Sequence, residues 1–193
     1  MKKYFVLTAF FFLFSLLGNA QTRVWTSDSA HSSLGFAIKH LTISEVEGRF
    51  TDCTVKVTTV GADYKDVSVV LTAKVASINT NSSARDKHLL DADFFDADQF
   101  PLLVFESTSV KDIDKKEGVL VGNLTIRGIT KPITLKVDYF GSVINPMNKK
   151  ETAGFKVTGI VKRSDYGIGE KYPGAVLGNN VNIVANVEFT PNK

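Results

Sequence analysis

Beyond residue 20 the chain alternates apolar and polar side chains with a period of two, the pattern of strands that bury one face. Leu34, Phe36 and Ile38 alternate with Gly35, Ala37 and Lys39, and Val67, Val69, Leu71, Ala73 and Val75 repeat the pattern over a longer run. Residues 120–126 form another such segment. Ile133, Leu135, Val137 and Tyr139 follow, set against Thr134, Lys136 and Asp138. Phe155, Val157 and Val161 come next, and Val181, Ile183, Ala185, Val187 and Phe189 close the chain. The pattern predicts at least seven strands.

Turn-forming residues separate them at Val60-Gly61-Ala62-Asp63, Lys115-Lys116-Glu117-Gly118, Asn145-Pro146-Met147-Asn148 and Gly178-Asn179-Asn180. Closely spaced strands without intervening helices predict an antiparallel meander, closed as a sandwich or a barrel. A barrel of about eight strands is wide enough to hold one small ligand.

Residues 82–99 break the alternation. Leu89, Leu90, Phe94 and Phe95 recur at helical spacings among Asp86, Asp91, Asp93, Asp96 and Asp98. This predicts a short helix or two helical turns, and a connection this long in a compact β domain is usually functional, a lid being one form.

The N-terminus is of a different kind. Lys2 and Lys3 precede an apolar run over residues 5–17 and then Gly18-Asn19-Ala20, the layout of a cleaved secretory signal. The run falls short of the roughly 20 residues needed to span a bilayer as a helix, so cleavage after Ala20 is expected rather than stable membrane insertion. Residues 21–193 then read as one domain.

The charge balance changes with that cut. Without Lys2 and Lys3 the 23 basic residues become 21, against 20 acids, a net charge of +1. Nothing remains of the basic stripe expected of a nucleic-acid binder. The single cysteine, Cys53, can form no internal disulfide, and its strand parity with Val55 and Val57 predicts a buried, unreactive thiol.

Catalytic and metal-binding patterns are weak. His31, His40 and His88 are the only histidines. His31 and His40 have opposite parity along what reads as one strand, so they should face opposite sides. Asp28, His31 and Ser32 lie too close along the chain to converge as a triad. Gly167-Ile168-Gly169 starts like a dinucleotide fingerprint but lacks its third glycine and its βαβ setting. No catalytic residue, metal site or cofactor is assigned.

Longer strings are more specific. Asp28-Ser29-Ala30-His31-Ser32 leads into a strand with Phe36 and His40, then Gly48-Arg49-Phe50. Ser77-Ile78-Asn79-Thr80, Arg85-Asp86-Lys87-His88-Leu89, Asp93-Phe94-Phe95-Asp96 and Phe100-Pro101 follow in order. Gly122-Asn123-Leu124-Thr125-Ile126-Arg127-Gly128, Thr130-Lys131-Pro132 and Arg163-Ser164-Asp165-Tyr166-Gly167-Ile168-Gly169 complete the set. From about residue 25 to 189 the chain resembles the YceI-like family. The resemblance implies an all-β fold, an extended antiparallel β-barrel of lipocalin-like shape. It also implies export to the bacterial periplasm and an apolar tunnel for a polyisoprenoid, such as a quinone precursor, or another long-chain amphiphile such as a fatty amide. No established catalytic activity comes with it.

Phe36 and Ile38 on a barrel strand, with Leu89, Phe94 and Phe95 in the lid, are the candidate tunnel walls, core packing being the alternative for each. His31, Arg85 and His88 are candidates to meet a polar head at the mouth, although Arg85 could instead pair with Asp86 or Asp165. Arg163 is expected to hold its loop by gripping a carboxylate, ahead of contacting a ligand, and Tyr166 to pack with its hydroxyl at the surface, ahead of serving as a catalytic acid. The leading expectation is a carrier or sequestering protein for a long-chain isoprenoid or fatty lipid. An enzyme acting on such a lipid through His31 or His88, and a cavity-poor interaction module, are the rivals. Exposed strand edges could support a homodimer.

Overall fold

The computed structural model describes residues 22–60, 67–111 and 116–192. The expected signal over residues 1–20 lies outside them. The strands are β1 (Thr22–Ser27), β2 (Ser33–His40), β3 (Ser44–Phe50), β4 (Cys53–Val60), β5 (Ser68–Lys74), β6 (Ile78–Asn79), β7 (Leu102–Lys111), β8 (Glu117–Ile126), β9 (Ile129–Ile144), β10 (Glu151–Lys162) and β11 (Leu177–Pro191). The helix among the described residues, α1, spans Ser83–Leu90.

The strands pair antiparallel in the order β1-β4-β5-β7-β8-β9-β10-β11, and β11 closes back on β1 through Trp25↔Pro191 to Ser27↔Phe189. This is the expected all-β barrel, with eight strands in the ring. The edge of β11 is shared. Its first part, from Leu177 to Asn186, pairs with β2, which carries β3 and the short β6 as a side extension.

The alternation read from sequence becomes an inside and an outside. In β8 Gly118, Leu120, Gly122, Leu124 and Ile126 are buried, while the residues between them are half-buried or exposed. The core draws Phe105, Leu135, Val187 and Phe189 from around the ring and Phe50 from the side extension.

Two departures from regular alternation matter for the site. In β9 the register slips, so that Phe155 pairs with Tyr139 and Gly154 with Gly141, leaving Phe140 bulged out. Gly141 takes φ of 114° there, a conformation that glycine adopts without steric cost. Secondly, His31 is not in a strand continuous with His40. The Ala30 amide donates to Asp28 Oδ1, and the His31 amide to the Asp28 carbonyl, so a turn precedes β2. The parity argument drawn from a single strand therefore fails.

Residues 82–99 form the predicted short helix and a run of turns. Ser82 caps α1 by accepting from the Arg85 amide, and Asp91 ends it in an extended conformation. From there the chain turns under the barrel. The Phe95 amide donates to the Leu89 carbonyl and Ala97 to Leu90, which folds the segment back on the helix.

Candidate functional site

A cavity of about 640 Å³ runs inside the barrel. Its wall is overwhelmingly apolar, drawn from the inward face of nearly every ring strand: Val57, Leu71, Phe105, Leu120, Val137, Phe155 and Val187 are representative. The strand pattern produces this directly, because each ring strand presents alternate residues inward and those residues are apolar.

All five expected wall residues, Phe36, Ile38, Leu89, Phe94 and Phe95, line the cavity. Phe36 lies over Gly48 on the neighbouring strand, where a Cβ would come within 2.3 Å of its ring, so glycine is what lets the ring lie flat there. Phe36 and Phe95 both pack on Phe50, with ring centroids 5.9 and 6.0 Å apart. Phe94 is the more deeply buried of the lid pair, whereas Phe95 is half-buried.

The three polar candidates stand elsewhere. His31 is exposed outside the wall, its Nδ1 3.0 Å from Asp28 Oδ2, and that carboxylate raises the imidazole pKa. Arg85 spends its guanidinium on Thr80, donating to Oγ1 at 2.7 Å and to the carbonyl at 2.8 Å. Asp86 also bonds Thr80, at its amide and hydroxyl, so the expected pairing of Arg85 with Asp86 or Asp165 is replaced by a shared partner. His88 lies edge-on to Phe94 at 4.9 Å and supports the lid from outside. None of the three is among the residues lining the cavity.

The closed end is fastened by groups that the sequence did not single out for this role. Arg163 is buried and donates to five carbonyls, those of Gly178, Ile168, Gly169, Tyr172 and Leu177. It grips no carboxylate, contrary to expectation. The guanidinium fork instead collects the carbonyls of the loop between β10 and β11, and burial lowers its pKa. Arg127 bonds the Gly167 carbonyl and, at 3.1 Å, that of Ala92. Lys171 pairs with Asp93, and the Gly169 amide donates to the Asp93 carbonyl at 2.7 Å. The lid is therefore stapled to the β10–β11 loop at several points.

Tyr166 also departs from expectation. It is 1% exposed and its hydroxyl is buried with no hydrogen-bond partner among the described residues. Burial, with Asp165 beside it, pushes its pKa up to about 12. Cys53 is half-buried, and burial with Asp52 nearby pushes its thiol to about 11, so it stays protonated at neutral pH.

The opposite end of the cavity carries its polar rim. Glu117 and Ser142 are exposed and Glu151 half-buried, and all three line the cavity. Glu117 is held by Lys136 at 3.2 Å, which also meets Asp138 at 3.0 Å. Sequence parity could have found Glu151, which is in phase with Phe155 and Val157. Parity misplaces Ser142, because the bulge at Phe140 reverses the faces of β9.

Known proteins share this architecture. The chain is 40% identical over 170 residues to the UPF0312 protein SA2479 of Staphylococcus aureus strain N315, covering 86% of this chain and 96% of that protein. The crystal structure of the Campylobacter jejuni YCEI protein superposes with a TM-score of 0.72 at 34% identity, over 81% of this chain and 91% of that one. A polyisoprenoid binding domain from Saccharophagus degradans, implicated in plant cell wall breakdown, superposes with a TM-score of 0.62 at 15% identity, over 87% of this chain and 98% of that one. The model of the YceI-like domain matches residues 25–189, which takes in the barrel from β1 to β11, and the chain belongs to the YceI-like family.

Proposed function

We propose that the protein is exported to the periplasm and holds a polyisoprenoid or other long-chain amphiphile inside the barrel, for transport, storage or sequestration and without chemical turnover. The cavity carries this reading. About 640 Å³ of space with apolar walls and a polar rim at one end suits a long hydrocarbon with a polar head. A chain without hydrogen-bonding groups binds through area removed from water, about 25 cal/mol per Å². Burying roughly 400 Å² of it would contribute about 10 kcal/mol before the cost of association is subtracted. The polyisoprenoid binding named for the Saccharophagus domain supports the ligand class, and the Lys2-Lys3 and apolar N-terminal sequence supports export.

Denaturing solvent extraction of protein purified from an exporting host, followed by mass spectrometry, tests the proposal. The expected result is one long-chain lipid in near-stoichiometric amount, on a chain whose intact mass begins at Gln21. Protein that is lipid-free and takes up no polyprenol in solution would remove the carrier reading.

A further inference from the structure

The β9–β10 hairpin projects past the rim with apolar side chains that are exposed among the described residues. Phe140 is 70% exposed, Val143 66%, Ile144 63% and Met147 90%. These are the largest exposures among the large apolar residues described, apart from Ile43, at 84% in the β2–β3 turn. Isolated exposed apolar residues are ordinary, but four on one hairpin form a patch of the kind that marks an interaction surface.

Three observations say what the patch meets. The first is charge. From Tyr139 to Lys150 the sequence holds Lys149 and Lys150 and no acid, so the hairpin is apolar at its tip and cationic beside it. Ile43, by contrast, is followed by Glu45 and Glu47.

The second is the backbone. The Asn145 and Lys149 amides bond within the turn at 2.8 Å, and Met147 and Lys150 donate to the side chains of Asn145 and Asn148 at 2.9 Å. Pro146 has no N–H to satisfy. A tip with four of its amides already paired can leave water at lower cost than an open loop.

The third is position. Tyr139, Ser142 and Glu151, at the root of the hairpin, line the cavity, and Ile144 pairs with Glu151 directly above them. Ile144 thus continues the inward face of the wall, while the bulge puts Phe140 and Val143 on the outer face of the same hairpin.

We propose that this hairpin is the docking element for a bilayer surface bearing anionic headgroups, inserting Val143 and Met147 and pairing Lys149 and Lys150 with phosphates. Lipid would then pass between bilayer and barrel along the hairpin without crossing water. The proposal deepens the carrier reading and rests on it for the purpose of docking, but docking itself is measured without any cargo.

Flotation with vesicles decides it, using the full mature protein and two compositions, phosphatidylglycerol mixed with phosphatidylcholine and phosphatidylcholine alone. Wild type should float with the anionic vesicles and bind the neutral ones on the order of tenfold more weakly. The double variant Val143→Asp, Met147→Asp should lose flotation while keeping its melting temperature, since both side chains are exposed. Lys149→Gln with Lys150→Gln should abolish the preference for anionic vesicles. Ile43→Asp, at the other exposed tip, should bind as wild type. Wild type that does not float, a folded hairpin variant that floats unchanged, or loss of flotation in Ile43→Asp would each overturn the docking proposal. Lipid content, measured by extraction of the same preparations, keeps the two ideas apart. Protein that docks but never contains lipid would sink the carrier reading alone, and lipid-loaded protein that never docks would sink the hairpin alone.

Discussion

At the α1 end of the barrel, polar groups from four separate segments are spent on one another, whereas at the β9–β10 end the strands run on past the last inward-facing residues into solvent. The first end buries Phe94, Arg163 and Tyr166, ties the lid to the β10–β11 loop through Arg127 and the Lys171–Asp93 pair, and holds that loop together through Arg163. The second exposes Phe140, Val143 and Met147 and lines its rim with Glu117 and Glu151. Opening the α1 end would mean breaking the bonds of Ala92 to Arg127 and of Asp93 to Lys171 and Gly169 together. In the carrier reading proposed above, cargo exchange belongs to the β9–β10 end, where Glu117, Ser142 and Glu151 line the cavity. The predicted lid segment covers the α1 end of the cavity and serves as its floor.

The largest effect should come from removing the residue that gathers the β10–β11 loop, to which the floor is bonded. Arg163→Met keeps some of the volume and deletes all five donors, leaving several buried carbonyls without partners. A loss of about 3–5 kcal/mol in urea unfolding is expected. Arg163→Lys should recover only part of it, because an ammonium cannot reproduce the fork. Wild-type stability in Arg163→Met would show the carbonyls to be served by water and the floor to be loose.

Phe94 and Phe95 then separate structure from site. Phe94 is 7% exposed and packs on Tyr172 at 5.5 Å, so Phe94→Ala should cost about 3–4 kcal/mol. Introducing Asp there would be expected to unfold the floor rather than merely expel lipid. Phe95 is half-buried and lines the cavity, so Phe95→Ala should cost less stability while changing lipid occupancy, read by extraction and mass spectrometry. Equal thermal losses at both positions with unchanged occupancy would make Phe95 a second core residue.

Much of the barrel was legible in the sequence because strand parity is a local property. Leu120, Leu124, Val137 and Val157 could be placed inward from their neighbours alone. Phe94 and Phe95 stood out as apolar residues in an acidic stretch. What could not be read depends on chain segments meeting from a distance. The chemistry of Arg163 suggests a grip on a carboxylate, yet its partners are carbonyls up to fifteen residues away, placed by the path of the β10–β11 loop. The rim was hidden by one extra residue in β9, and the role of Arg85 by a threonine five positions earlier.

The smallest effect concerns His31, which belongs to neither end. Its ring faces Asp28 in an exposed turn, and the two shift each other's pKa. The carboxylate is lowered chiefly by its hydrogen bond to the imidazole, and the imidazole raised chiefly by its bond to the carboxylate. The raised imidazole contributes stability that is fully present below its usual 6.5 and is lost as pH rises through the higher folded value. The lowered carboxylate contributes stability present above its usual 3.8 and lost as pH falls through the lower folded value. The coupling should therefore be greatest between those limits, near about pH 5, and absent at about pH 9. A double-mutant cycle with Asp28→Asn and His31→Gln, followed by thermal unfolding at both pH values, measures it. Exposure keeps it small, and lipid occupancy should not change in any of the variants. A His31 variant that unfolds like wild type but releases its lipid would bring this turn into the site and undo the division between a fastened floor and an open rim.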